Sequence, residues 1–399
     1  MKKCKFSLIL TILLLGFTSI TKAQTPADSA QIFLLTASPG TETYAAFGHS
    51  AIRVYDPTRN YDVVYNFGMF DFSTPNFYLK FGWGRLMYFL SKAHYEHFLE
   101  EYQSEGQAIY LQKFNFTNEE KWQFINNLEN NYLPENRYYR YDFFYDNCAT
   151  RIRDIVEQSI SGKLIYDSTY ITKPETFRQL IEQDLGRTPW NFFGINILMG
   201  KGTDSIANLR NYMFLPLHMR NIFENAKVTR GDSIVALTEA PVELFPSRIN
   251  FQKPSIFGLP EVIMCLFLLL VIGLTYWGYK KNLRFSVFDF LLFFITGVLG
   301  LLVAALATSS LHSVLHHNSN LFWTNPANLV VAIALLVRCQ KKWFSYTLGM
   351  YLVVLLIFIP VSFFIMQDIP LAGQFVALVL ATRMVAYFLA SAASDKSGK

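Results

Sequence analysis

The residues best able to do chemistry lie in Tyr141-Asp142-Phe143-Phe144-Tyr145-Asp146-Asn147-Cys148-Ala149-Thr150-Arg151. Asp146 or Asn147 is a good helix N-cap. Ile152, Ile155, Val156 and Ile160 then repeat at helical spacing, with Arg151, Arg153, Asp154 and Glu157 between them. Cys148 is thus placed at a helix start, where the positive end of the helix dipole favours thiolate over thiol. A thiolate nucleophile needs a base brought to it from elsewhere in the chain. His49 is the candidate, in Ala45-Ala46-Phe47-Gly48-His49-Ser50-Ala51-Ile52-Arg53-Val54-Tyr55. The plain alternatives are a small buried hydrophobe at Cys148 and a structural histidine in a strand at His49. The pairing of a lone thiol at a helix start with an upstream strand imidazole argues for the nucleophilic reading.

A third polar group must hold the imidazole tautomer. It is expected from the next segment, Tyr61-Asp62-Val63-Val64-Tyr65-Asn66-Phe67. Asn66 is the first candidate and Asp62 the alternative. A strand period of two puts both on one side, so spacing does not choose between them. Papain-like enzymes use this combination of helix-start thiol, strand imidazole and polar orienter. In their permuted version the histidine strand precedes the cysteine helix, which is the order here.

Several elements must position these groups. Gln31 to Thr36 suits a helix or a strand leading inward. Ala45 to Tyr55 and Tyr61 to Phe67 form a predicted hairpin around Asp56-Pro57-Thr58-Arg59-Asn60. Tyr78 to Leu90, with Gly82 and Gly84, fits no single pattern. Ala108 to Phe116 reads as a strand. Thr117 and Glu120 make a capping box for a helix to about Asn130. A helix is expected over Thr172 to Asp184, started by Thr172. Ser205 to Ala226 reads as largely helical with a break near Pro216, and Ile234 to Phe245 as a final strand. The class is α+β.

Composition sets the wider organisation. Of the 399 residues, 52% are hydrophobic and 16% charged, a membrane-protein balance. Met1 to Gln24 has Lys2, Lys3 and Lys5, an apolar run from Phe6 to Phe17 and a small-residue site at Thr21-Lys22-Ala23, as in a secretory signal cleaved after Ala23. Cleavage would remove Cys4 and four lysines, lowering the formal charge from +5 to +1. That leaves no electrostatic footprint for nucleic acid. The expected division is a signal peptide (1–23), an extracytoplasmic domain (24–255), a transmembrane domain (256–392) and a cytoplasmic tail (393–399).

Five apolar spans are expected, at about 256–279, 285–307, 321–337, 344–366 and 369–391, the third being the shortest. Lys280, Lys281 and Arg284, then Arg338, Lys341 and Lys342, then Lys396 and Lys399 fall on one side. The opposite loops, 308–325 and 367–370, carry no Lys or Arg. This asymmetry places the N-terminal domain outside and the C-terminus in the cytoplasm. Arg383, inside the fifth span, is expected to snorkel. Cys265 and Cys339 lie in membrane segments, so Cys148 is the single cysteine of the exported part, where disulfides are the usual use of thiols.

Other histidines carry weaker signals. His94 and His97 suit a solvated helix face, and no metal site or cofactor is expected, since neither an HExxH motif nor a cysteine cluster is present. His218 has no evident partner. His312, His316 and His317 lie in the outer loop between the second and third spans. They read either as interfacial polar residues or, for His312 and His316, as a substrate-binding floor beneath Cys148.

Gly48-His49-Ser50-Ala51, Tyr65-Asn66-Phe67-Gly68 and the Tyr141-x4-Asp146-Asn147-Cys148-Ala149-Thr150-x-Ile152-Arg153-Asp154 segment resemble the extracytoplasmic domain of the Lnb-type lipoprotein N-acyltransferases. So do Pro189-Trp190, Gly200-x3-Asp204 and the five spans. That domain is similar to permuted papain-like enzymes, as is lecithin-retinol acyltransferase. The resemblance implies a permuted papain-like domain followed by an all-α bundle of five transmembrane helices in the bacterial inner membrane. It also implies a lipoprotein or phospholipid substrate, with an acyl chain moved from a diacylglyceryl group to the N-terminal amine of the same lipoprotein. His49 and Cys148 carry over, and Asn66 less directly. The residues alone leave two other classes open: an anchored cysteine peptidase or amidase acting on cell-wall peptide, and a non-catalytic membrane assembly protein. They give no oligomeric state.

Overall fold

A computed structural model describes residues 28–339 and 341–397. The expected signal peptide lies outside the described residues. Ten strands are described: β1 (Gln31–Ala37), β2 (His49–Asp56), β3 (Tyr61–Met69), β4 (Met87–His94), β5 (Ile109–Lys113), β6 (Tyr138–Arg140), β7 (Lys163–Ile165), β8 (Lys227–Arg230), β9 (Ser233–Ala236) and β10 (Val242–Phe245). Seven form one sheet in the order β10-β5-β1-β2-β3-β4-β6, with every pairing antiparallel. β7, β8 and β9 form a small second sheet.

Central β1 is apolar almost throughout because helices cover both faces of the sheet. Ile32 and Leu34, with Ile52 and Val54 of β2 and Tyr65 and Phe67 of β3, face the larger core. There they meet Phe124 of the helix Asn118–Tyr132 and Ile152 and Val156 of the helix Cys148–Ser159. The alternate residues Leu35, Ala37, Ala51 and Val64 face a smaller core with Phe98 of the helix Tyr95–Ser104. Each such large side chain, fully buried, contributes about 1.5–3 kcal/mol.

The hairpin and the Thr117 capping box form as expected. Other boundaries differ. β2 begins only at His49, because Thr43–Ala45 is a 3-10 turn and Gly48, at φ +73°, redirects the chain. Tyr78 to Leu90 divides into a short helix, Phe77–Gly82, and β4. The predicted helix from Thr172 starts at Phe177, capped by Thr176 with Gln179 in a capping box. Glu175 and Thr176 are held extended by Ala207 and Ile206. Ser205 to Ala226 forms a single turn, Leu209–Tyr212, and the helix Pro216–Asn225. Ile234 to Phe245 is two strands in different sheets.

The α+β domain is followed by a helical region with four helices long and apolar enough to cross a membrane: Pro260–Lys281, Ser286–Ser309, Lys342–Val361 and one beginning at Leu371. The predicted third span is not a continuous helix. Ser319–Phe322 is a 3-10 turn, and after Asn325 and Pro326 the helix Asn328–Leu336 has nine residues. Such a helix is about 14 Å long, against about 30 Å of hydrocarbon. Buried Asn320 and Asn328 spend their amides on backbone and side-chain partners around this break. Glycine makes the close packing possible: a Cβ on Gly300 would lie 1.7 Å from the Thr324 carbonyl oxygen. Arg383 does not snorkel; it pairs with Asp289 at 2.5 and 3.1 Å and donates to Thr275 at 2.6 Å.

The two parts meet along a defined seam. Gly200 donates its N–H to the Val314 carbonyl at 2.8 Å, and a Cβ on it would lie 1.9 Å from the His316 carbonyl oxygen. The loop bearing Gly200 is held by buried Arg178, which binds the Gly200 carbonyl, Thr203 and Asp204. Asn318 donates to the Ile197 and Leu198 carbonyls, and Gln367 to that of Met199. On the other flank Trp83 Nε1 donates to Ser309 Oγ at 2.8 Å.

Candidate active site

Asn147, not Asp146, caps the cysteine helix. Its side-chain oxygen accepts from the N–H groups of Ala149 and Thr150, each at 2.9 Å, while Thr150 Oγ1 accepts from the Asn147 N–H at 2.7 Å. Its amide nitrogen donates to the Phe143 and Phe214 carbonyls, each at 2.8 Å, locking the turn to the core. Asp146 instead takes a bidentate contact from Arg151 at 2.6 and 2.8 Å. The Asp142 carboxylate accepts from the N–H groups of Phe144 and Tyr145, closing the loop before Cys148. These bonds fix where the sulfur points. They leave the Cys148 N–H without a hydrogen-bond acceptor among the described residues.

His49 comes to the same point from the first residue of β2. Its ring lies close enough to the Cys148 side chain for each group to shift the other's pKa. His49 Nε2 lies 2.5 Å from Asn66 Oδ1, the nitrogen donating to the amide oxygen. With Nε2 so engaged, Nδ1 is the ring nitrogen left to the sulfur. Gly68 makes this meeting sterically possible. β3 shifts register between Asn66 and Met69, Gly68 takes φ +84°, and a Cβ there would lie 3.4 Å from Cys148 Cβ and 3.9 Å from His49 Cε1. Asp62 is taken out of contention by Arg53, which binds both its oxygens at 2.7 and 2.6 Å.

The electrostatics favour an ion pair. Burial is the largest influence on the Cys148 thiol and pushes its pKa up. It is outweighed by the charge and hydrogen bond of His49 and by the N–H groups of Ser50 and Ala149, so the net direction is down. Burial likewise acts most strongly on His49 and disfavours its charge. The Cys148 thiolate and the Asn66 hydrogen bond outweigh it, and the net direction is up. Opposite shifts in two touching groups are what a thiolate and an imidazolium impose on each other.

His312 and His316 do not touch this array; their ring nitrogens are engaged in the seam below it. His312 Nδ1 lies 3.6 Å from Asp142 Oδ2 and Nε2 lies 3.1 Å from the Phe81 carbonyl. The neighbouring His312 helps hold the Asp142 carboxyl below its ordinary pKa, against the larger opposing effect of burial. His316 Nε2 bonds the Ser310 carbonyl at 2.8 Å. His94 and His97 meet edge to face at 5.8 Å, and no group of metal-ligating side chains forms among the described residues. His218 has a partner after all, Tyr170, at 2.7 Å.

Two aromatic residues flank the site: Tyr141, from the segment leading to Cys148, and Tyr102, which carried no usable signal in sequence. Tyr102 stacks on the His49 ring, with centroids 6.2 Å apart and planes within 12°. Tyr141 borders the Gly68 position and stacks on Tyr88 at 4.2 Å. From Tyr88, ring contacts run through Phe70 to Phe72, Phe77 and Tyr44, of which Phe72 and Tyr44 are exposed. Ring contacts thus run from Tyr141, beside the thiol, to exposed aromatics and to Phe77 of the helix Phe77–Gly82.

Residues 17–183 match the family described as Lnb N-terminal periplasmic domain, and residues 252–394 match the Lnb transmembrane domain. No curated protein and no solved structure matches the chain. With both modules present in order, the chain belongs to the Lnb-type family and is a multi-pass membrane protein with an N-terminal periplasmic domain.

Proposed function

We propose that this Lnb-type protein is a cysteine-dependent acyltransferase of the bacterial inner membrane. In this reading it moves an acyl chain from the diacylglyceryl group of a lipoprotein to that lipoprotein's N-terminal amine. The observation that carries the reading is the Cys148–His49–Asn66 array, whose loop residue Asp142 faces His312 of the helical region. The order of histidine strand and cysteine helix is that of a permuted papain-like domain.

The steps follow from the array. Cys148 thiolate attacks the ester carbonyl, forming a C–S bond and an oxyanion. The free Cys148 N–H supplies a donor to that oxyanion; one such donor is typically worth about 3 kcal/mol. Collapse breaks the ester C–O bond, and His49 imidazolium protonates the departing alkoxide. The amine then attacks the thioester, His49 takes its proton, and thiolate leaves. Asn66 holds the ring tautomer through both halves. His312 and His316 act on substrate only indirectly, by fixing the seam and the Asp142 loop. The apolar surroundings exclude the water that would hydrolyse the thioester.

The membrane domain fits five crossings, one of them broken. Asn318 is tied to the periplasmic domain, whereas the Cys339 carbonyl accepts from Tyr387 far along the last helix. In this reading the segment between crosses as a 3-10 turn, an irregular stretch and a short helix, packed against neighbouring helices where irregular backbone is tolerated.

The test is conversion of a synthetic diacylglyceryl lipopeptide by membranes containing the intact protein. The expected product has unchanged mass and a blocked amine, and Cys148→Ser or His49→Ala abolishes it. A mass higher by one acyl chain would place the donor in a phospholipid. Loss of an acyl chain, or cleavage of cell-wall peptide with no change in lipopeptide, would overturn acyl transfer.

A further inference from the structure

We propose a second site, remote from Cys148, that binds the headgroup of an anionic phospholipid at the cytoplasmic end of the helical region. A cavity of about 400 Å³ opens there between the long helices. That is within the roughly 300–1,000 Å³ range of ligand pockets. Its polar lining includes Arg284, Arg338, Arg383, Asp289, Thr275 and Tyr279. Three arginines and one carboxylate thus line the same cavity.

Arg383 is already matched, since its nitrogens are taken by Asp289 and Thr275. That leaves the other two with positive charge in excess. Arg284 makes one long bond, 3.5 Å, to the Ala390 carbonyl. Arg338 has no side-chain partner among the described residues; it follows the nine-residue helix in a left-handed conformation at φ 54°. A single exposed arginine at a helix end needs only water. Two lining one cavity that also holds a neutralised ion pair offer guanidinium donors suited to the oxygens of a phosphodiester.

The remaining walls point to the occupant. Leu283, Phe285, Leu335 and Leu389 line the same cavity. Lys280 and Lys281 end the first long helix nearby. A cationic mouth with apolar walls, at the end of the bundle opposite the periplasmic domain, fits a headgroup whose chains continue along the helices; a free anion would have no use for those walls. Basic pockets between helices on this side are a recurrent form of lipid headgroup site.

The experiment uses the full chain in mild detergent, read by native mass spectrometry and thermal unfolding. Phosphatidylglycerol should be retained and should raise the unfolding temperature more than phosphatidylcholine with the same chains. Arg284→Gln/Arg338→Gln should weaken that retention by about 30-fold, as expected for two cations near a headgroup. Equal retention of the two lipids, or wild-type retention by the double variant, would overturn the site. Inorganic phosphate reproducing the full stabilisation would overturn the lipid assignment. If the double variant does not fold, Arg338→Gln alone carries the test, with the same outcomes read against wild type.

Discussion

Asn66 Oδ1 stands 2.5 Å from His49 Nε2, and this contact decides which ring nitrogen is left to the sulfur of Cys148. An amide oxygen can only accept, so Nε2 carries a proton and Nδ1 exchanges one. Removing the acceptor frees the ring to rotate and to change tautomer. Asn66→Ala should lower the rate of thioester formation by roughly 10- to 100-fold, less than the roughly 10²- to 10⁴-fold expected for loss of a general acid–base in His49→Ala. Single-turnover acylation of the purified protein would measure both. An Asn66→Ala rate equal to wild type would remove Asn66 from the array.

The opposed shifts of the pair make a prediction in pH. Reactivity of Cys148 toward a neutral alkylating reagent follows thiolate, so it should rise through an inflection below the ordinary 9.0. In His49→Ala the stabilising charge is gone and burial remains, so the inflection should move above that value. Acyl transfer also needs imidazolium for the leaving alkoxide. Its rate should therefore rise as Cys148 ionises and fall as His49, raised from 6.5, loses its proton. An unmoved inflection in His49→Ala would break the ion pair.

The Asp142 to His312 contact links the thiol loop to the membrane domain. Asp142 spends one oxygen on the Phe144 and Tyr145 N–H groups and turns the other toward His312. His312→Ala should therefore leave a folded protein that alkylates at Cys148 normally but turns over lipopeptide more slowly. Asp142→Ala, which also loses the loop closure, should slow both. His312→Ala with full turnover would confine that residue to the interface.

How far these features could be read in advance depended on how local their causes are. Cys148, His49 and the Thr117 capping box are visible because residue type and short spacing produce them directly. Asn66 and Asp62 could not be separated by a period of two. Arg53, a side chain on the partner strand, removes Asp62, and Gly68 lets the β3 bulge bring Asn66 to the ring. Tyr102 reaches His49 from a helix packed on the other face of the sheet, a contact that no sequence distance encodes. The third span misleads because hydropathy averages over Asn320, Asn325, Pro326 and Asn328. Those residues break the helix, and their partners lie partly within the segment and partly on Thr296 and the Ile197 carbonyl.

Packing at that break predicts a stability difference between two glycines. A Cβ at Gly300 would meet the Thr324 carbonyl oxygen at 1.7 Å, whereas one at Gly273 meets nothing within 4 Å. Gly300→Ala should cost about 1–3 kcal/mol through overpacking and lower the unfolding temperature in detergent. Gly273→Ala should be neutral or slightly stabilising, since alanine is the better helix former. Equal behaviour of the two variants would show that the broken segment does not pack against the helix Ser286–Ser309 as described.

The same segment sets the topology. If it crosses, Leu311 and Phe364 lie on the periplasmic side, and Asn282 and Lys341 in the cytoplasm. If it turns back instead, an even number of crossings puts Lys341 on the side of Leu311, and the basic residues Arg338, Lys341 and Lys342 would face the periplasm against the usual charge bias. Single cysteines at these four positions, in a chain with Cys148, Cys265 and Cys339 replaced, separate the two cases. Leu311 and Phe364 are exposed, at 50% and 89%, so a membrane-impermeant maleimide should reach both in intact spheroplasts. Asn282→Cys and Lys341→Cys should label only after permeabilisation. External labelling of Lys341→Cys together with Leu311→Cys would refute the broken crossing, and with it the cytoplasmic placement of the arginine-lined cavity.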